Sequence, residues 1–474
     1  MRLRSAEHLP EVRQFITDLA SHFDDIFDAD ADIYVTRAPA RLDVMGGIAD
    51  YSGSVVLEGT LDRAIVVGLQ RRADRRLVVR SLGIEREGLV RQVELNLDSF
   101  FANGGLKPYA DVRQELQRDP VRHWSAYVSG AFYVLMREGA APAFRQGATI
   151  GLTSTIPLGA GISSSAALEV ATMTAILVAF GLQLDGLELA RLCQMVENHV
   201  VGAPCGIMDQ VTSALGQAGQ LLALRCQPHD ILGQVTIPAG FRVLGIDSDV
   251  RHAVGGSRYT DTRVSAFMGH KIILHRLQAA SADDDPTDGY LCRLSPEEYT
   301  RRFRDLLPLR ISGRQFLDTY GPTVDPVTQV DPNKVYRVRS RTEHPIYENH
   351  RVQRFIECLE QAQIGESELS MREAGRLMYA SHWSYGKRCG LGAPETDLLV
   401  RLVRERGPEE GLYGAKITGG GSGGTVAVLA ADGTDDVIQT IAQTYQGQTG
   451  LVPDLFLGTS PGALAYGYDF VRLR

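Results

Sequence analysis

One stretch limits the fold of this chain more than any other: PLGAGISSSAALEVATMTAILVAFG, residues 157–181. The run from Ser165 to Phe180 is apolar almost all round, with Glu169 its one charged residue. A helix without a polar stripe has to be covered on every side, between a sheet and further helices. Just before it, ATIGLTSTIP (148–157) places Ile150, Leu152 and Ile156 on one face and predicts a strand ending at Pro157. Gly181 predicts the helix end. A strand, a glycine-serine turn and a buried helix therefore form the central unit.

The turn itself carries chemistry. Gly159 and Gly161, flanking Ala160, remove side chains that would keep backbone amides from an anion. The helix behind them offers unsatisfied N–H groups and a positive dipole end. Ser163, Ser164 and Ser165 add hydroxyls suited to phosphate oxygens or to a hard cation such as Mg²⁺. The competing reading is a plain strand-to-helix turn with a serine cap. No GK[ST] ending follows, and the third glycine of a dinucleotide fingerprint is missing, so this is a phosphate loop of another kind. A net charge of −8 leaves no basic footprint for nucleic acid or an anionic membrane. Any anion must then be held locally, by amides, helix ends, a metal or single basic residues.

Length suggests two to three domains. A helix is expected over 10–27, a buried strand over 64–70, a helix over 187–200, and another starting near Asp209. The turn-rich passage after Cys226 reads as a domain boundary, and the polar stretch 281–347 as an insertion. Helices near 351–363 and 366–382 precede YGAKITGGGSGGTVAVLA, a glycine loop entering a strand. Six scattered cysteines without a CxxC pair fit reduced thiols. The first residues lack an apolar core, and no window approaches 18 uninterrupted apolar residues, so a cytoplasmic protein without a membrane span is expected.

PLGAGISSSAA resembles the second signature motif of the GHMP sugar and metabolite kinases. ARLDVMGGIADYSGS (40–54) is similar to their first motif and KITGGGSGG (416–424) to their third, in the same order. CQMVENHVVGAPCGIMDQ (193–210) is close to the galactokinase version of the segment with the metal and catalytic carboxylates. The resemblance implies an α+β, two-lobed fold: a ribosomal-protein-S5-like lobe over 1–225 and a ferredoxin-like lobe over 226–474. It implies ATP as co-substrate, Mg²⁺, a small sugar as the other substrate, and a monomer or weak homodimer. By the same resemblance Asp209 stands beside the anomeric hydroxyl, although it could equally cap the helix beginning at Gln210. Arg41 stands next to it, Glu197 and Ser165 hold Mg²⁺, and Trp124 lies beside adenine. Gly419, Gly420 and Gly421 approach the nucleotide, while Tyr259 and the backbone of Gly206 lie near the sugar.

The first motif departs from the galactokinase pattern. There a glutamate and a histidine reach the C6 hydroxyl, and an aspartate takes ring hydroxyls; Asp50 matches the aspartate, but Gly47 and Ile48 stand at the other two positions. Each missing charge-assisted hydrogen bond is worth about 1.5–3 kcal/mol. The expected substrate is therefore a sugar with galactose-like ring hydroxyls and no C6, which is L-arabinose in its pyranose form. Ile48 would cover the vacant corner and crowd out a hexose. MGGIADYSGS, the insertion 290–321 and HPIYENHRV (344–352) are similar to plant L-arabinokinases. The alternatives are a galactokinase or uronic-acid 1-kinase, with Arg258 or Arg263 supplying a distant positive charge for a C6 carboxylate, and more remotely a sugar sensor without catalysis.

Overall fold

The structure, a computed structural model, describes residues 9–251, 257–279, 285–365 and 367–473. Its first sheet is built on two long neighbours, β1 (Ile33–Met45) and β2 (Val55–Arg71), which pair antiparallel. β3 (Arg76–Ser81) and β4 (Gln92–Asn96) extend the sheet beyond β5 (Ala148–Ser154), which pairs with the second half of β2. The first half of β2 pairs instead with β6 (Gln220–Arg225), itself in a hairpin with β7 (Asp230–Thr236). That hairpin crosses residue 225, where composition suggested a boundary: Leu221 pairs with Val235, so the sheet continues to Thr236.

β8 (Phe241–Asp247), β9 (Leu412–Ile417), β10 (Thr425–Ala431) and β11 (Leu455–Phe456) make a second sheet in the order β9-β10-β8-β11, all antiparallel. With helices between β8 and β9 and between β10 and β11, this is the ferredoxin-like topology. A final strand, β12 (Tyr468–Val471), returns to pair with the start of β1.

The helix Ser164–Phe180 is buried along almost its whole length and ends at Gly181 with φ 69°. It lies on the first sheet, where Thr36 donates to the Ala171 carbonyl at 2.8 Å. On the sheet's other face the helix Pro10–His22, shorter than its expected end at 27, docks by filling glycine hollows. Gly68 and Gly151 face each other in register, and side chains there would run into Phe15 and Phe23. The helix expected over 187–200 is two pieces, Gly186–Met195 and a π-helical turn Val196–Val201. The next helix starts at Met208, so Asp209 lies in its first turn and does not cap it.

The described part of the stretch 281–347 begins at 285 and is not separable at 347. It folds into short helices and a ribbon, then runs into one long helix, Val338–Gln363, followed by Ser367–Ser384. Its core of Tyr299, Phe316, Tyr336 and Ile346 is continuous with Ile48 and Tyr51 of the first lobe.

The two sheets are joined by a buried ion pair. Lys416 Nζ of β9 lies 2.9 Å from Asp43 Oδ2 of β1, and both side chains are fully buried. Lys416→Ala would leave the Asp43 carboxylate uncompensated and is expected to lower unfolding free energy by about 3–5 kcal/mol. Lys416→Met combined with Asp43→Asn should lose clearly less, as read by urea titration of both variants.

Candidate active site

The three glycine-rich segments meet at a cleft of about 470 Å³ between the lobes. In the loop before the buried helix, Gly159 (φ 71°), Gly161 (φ 75°) and Ser163 (φ 59°) are left-handed while Ala160 and Ile162 are not. Such alternation turns successive N–H groups to one side and makes an anion-binding concavity. Gly159 and Gly161 adopt it freely; Ser163 does so at a cost of about 1–2 kcal/mol. Ser163, Ser164 and Ser165 all face the cleft.

The third segment closes over this loop. Thr425 Oγ1 donates to the Ala160 carbonyl at 2.8 Å. Gly419 stands so close to the Gly161 carbonyl and the Arg41 guanidinium that a side chain would not fit, and Gly420 and Gly421 line the cleft beside it.

Arg41 and Asp43 sit on β1, where its register against β2 shifts between Pro39 and Arg41 and again between Asp43 and Met45. Such bulges re-aim side chains beside functional sites. Arg41 Nε donates to Asp209 Oδ1 at 2.8 Å, and Nη1 to the Gly161 carbonyl at 2.8 Å. Ser163 Oγ donates to the other oxygen of Asp209. The Asp209 carboxylate is thus held on both oxygens at the mouth of the serine loop, with 17% of its side chain exposed to the cleft. Burial works against the charge on Arg41, but Asp209 and the buried Glu58, 3.5 Å from Nε, outweigh it and hold the guanidinium firmly protonated.

Glu197 lies on the π-helical turn, in a class of irregularity that recurs at functional sites. Gln210 Nε2 donates to Glu197 Oε2 at 2.7 Å and to Glu169 Oε2 at 3.0 Å. Burial, then the charge of Asp209, pushes Glu197 up to about 7, while bonds from Ser165, Cys205 and Gln210 oppose the rise. Glu169 is pushed well up by burial and by Glu197.

Asp50 follows in a short 3₁₀ turn, Asp50–Ser52, and is raised to about 6 by burial, with Arg263 pulling it down and Asp209 pushing it up. The Gly206 backbone packs on its carboxylate so closely that a side chain at 206 would strike Oδ2. Tyr259 stands edge-on to Tyr51, ring centroids 6.4 Å apart, and lines the cleft together with Ile48 and Arg258. Arg263 is held away from the cleft by a bidentate bond to Asp325 of the insertion, both contacts at 2.8 Å.

Two expected site residues are not brought to the cleft. Trp124 is in the core, its indole N–H satisfied by the Val90 carbonyl at 2.9 Å, and it does not line the cavity. Gly47 does not line the cavity either: its missing side chain would point at Tyr385 and Asp43. Sequence reasoning missed Asp43, Lys416, Tyr385, Glu58, Glu169 and Gln210. Asp43 and Lys416 lie inside quoted motifs, and Glu169 is the lone charge in an apolar helix, which was a usable signal.

Residues 126–217 match the GHMP kinases N terminal domain, residues 355–446 the GHMP kinases C terminal domain, and residues 21–71 the galactokinase galactose-binding signature. L-arabinokinase of Arabidopsis thaliana is 41% identical over 500 residues, covering 95% of this chain and 48% of that protein, so this chain spans about half that relative's length. Galactokinase of Chloroflexus aurantiacus is 30% identical over 88% of this chain and 89% of that one. The crystal structure of Lactococcus lactis galactokinase complexed with galactose superposes with a TM-score of 0.72, at 22% identity over 97% of this chain and all of that one. With sequence relatives matched over nearly the full chain and the fold shared throughout, the chain belongs to the GHMP kinase family, on its galactokinase-like branch of sugar kinases.

Proposed function

We propose that this protein transfers the γ-phosphoryl group of ATP to the anomeric hydroxyl of L-arabinose, giving L-arabinose 1-phosphate. The observation that carries the substrate assignment is the cleft wall beside Asp50, which is the apolar side chain of Ile48, 2% exposed, where a C6 hydroxyl would need a polar partner. The similarity to the Arabidopsis L-arabinokinase supports the same reading.

Phosphoryl transfer needs positioning and charge stabilisation more than covalent help. In the proposed mechanism the amides of the 159–163 turn and the end of the following helix cradle the nucleotide phosphates. Asp209, clamped by Arg41 and Ser163, accepts the hydrogen bond or the proton of the attacking hydroxyl. Arg41 faces the charge that develops on the transferred group. Asp50 takes ring hydroxyls, and the backbone of Gly206 seats the sugar against it. The hard oxygen donors Ser165 and Glu197, both facing the cleft, fit Mg²⁺, which takes its other ligands from phosphates and water. Bound there, the ion would neutralise charge between the phosphates.

A uronic acid is the second reading, because Arg258 also lines the cleft and could meet a C6 carboxylate. ADP release measured with Mg²⁺-ATP should give a kcat/KM for L-arabinose well above those for D-galactose and D-galacturonate; a preference for either hexose-derived sugar would overturn the assignment. Asp209→Asn should lower kcat by about two to four orders of magnitude with ATP binding retained, as seen by calorimetric titration. Because Asp50 is raised to about 6, its carboxylate, and with it sugar binding, is lost as pH falls through that value. The rise of the sugar KM as pH falls through about 6 is expected in the native protein and absent in Asp50→Asn.

A further inference from the structure

Ile48 is a β-branched residue with φ 61°, in the left-handed region that such residues avoid. It persists only where its surroundings over-determine the backbone. Those surroundings come from one long helix and the π-helical turn Tyr385–Cys389. Glu348 Oε1 accepts from the Gly46 N–H at 3.3 Å. His344 Nε2 donates to the Gly47 carbonyl at 3.0 Å while Nδ1 accepts from Ser384 Oγ at 2.9 Å, the tautomer following from the carbonyl, which can only accept.

The third restraint is steric. The Tyr385 hydroxyl and Asp43 Oδ2 fill the space that any side chain at position 47 would need. Tyr385 is itself immobile: it is fully buried, its Oη lies 3.0 Å from Asp43 Oδ2 and 3.2 Å from the Gly419 carbonyl, and its ring stands edge-on to His344. Tyr385 and Asp43 together therefore exclude a side chain at position 47, and the turn can only run past them by way of a glycine.

We propose that Tyr385 is a specificity-positioning residue: by occupying the side-chain space of position 47 it forces the Gly46–Ile48 turn and drives Ile48 into the sugar cleft. This deepens the reading of the site as one for a sugar without C6, and rests on it. Removing the ring takes away the steric restraint and leaves the turn held by the Glu348 and His344 bonds alone, so that Ile48 can withdraw and make room for a hydroxymethyl group.

The test is a set of variants, Tyr385→Leu, Tyr385→Phe, Gly47→Ala and the two doubles, each assayed with L-arabinose and with D-galactose at saturating ATP. Tyr385→Leu is expected to narrow the ratio of the two kcat/KM values at least tenfold, through the sugar KM. Gly47→Ala alone should lose most activity, and Tyr385→Leu should restore part of it. A fall of equal factor for both sugars in Tyr385→Leu, or a Gly47→Ala defect that Tyr385→Leu does not relieve, would overturn the proposal. Should Tyr385→Leu fail to give a cooperative melt, Tyr385→Phe decides: it removes the colliding hydroxyl alone, and Gly47→Ala must be less damaging in that background. A wild-type preference for D-galactose would defeat the substrate reading instead, and the rescue experiment would still decide the coupling of 47 and 385.

Discussion

Everything at the cleft depends on one buried carboxylate. Asp43 Oδ2 receives the Lys416 ammonium and the Gly419 amide from one segment and the Tyr385 hydroxyl from another, both distant from it in the chain. Its own amide donates to Thr418 Oγ1 at 2.9 Å. Away from water each of these bonds is strong, and an unpaired charge there would be prohibitive. The result is a fixed distance between the first sheet and the glycine loop of the second. That distance seats Gly419 against Arg41 and Gly161, and with it the whole roof of the cleft.

The electrostatics follow from that placement. Arg41 stands between Asp209 and Glu58; burial, then the charge of Asp43, pushes the Glu58 carboxyl well up, so Asp209 is the carboxylate that the guanidinium pairs with. A little further in, Glu197 and Glu169 share a single amide of Gln210. The cleft thus holds more acid than base, although the nucleotide it is proposed to bind is an anion. Backbone amides, which carry no charge that could titrate, are one means by which such a site accepts a polyphosphate.

How much of this was legible depended on whether the cause was local. The strand, the turn and the all-round apolar helix were readable because periodicity and glycine act over a few residues. Ser163, Asp209, Arg41, Glu197 and Asp50 could be named from motifs and do converge on one cavity. Tyr385 and Lys416 could not, since Asp43 lies 342 and 373 residues from them in sequence. Trp124 was harder to place, because a large aromatic with an N–H that meets a carbonyl is as content in a core as against a base. Gly47 was read by what its position lacks, while the structure explains it by what already fills the space.

The return of β12 to β1 has a consequence for synthesis. The first lobe supplies Arg41, Asp50, the 159–165 turn and Asp209 of the cleft, yet one edge of its sheet stays open until residues 468–471 emerge. Nearly the whole chain is translated between the two partners. A nascent first lobe therefore exposes the unpaired edge of β1, with the apolar Ile33 and Val35 beside it, for as long as elongation continues. The first sheet of this protein is therefore complete only when its last strand has paired with its first.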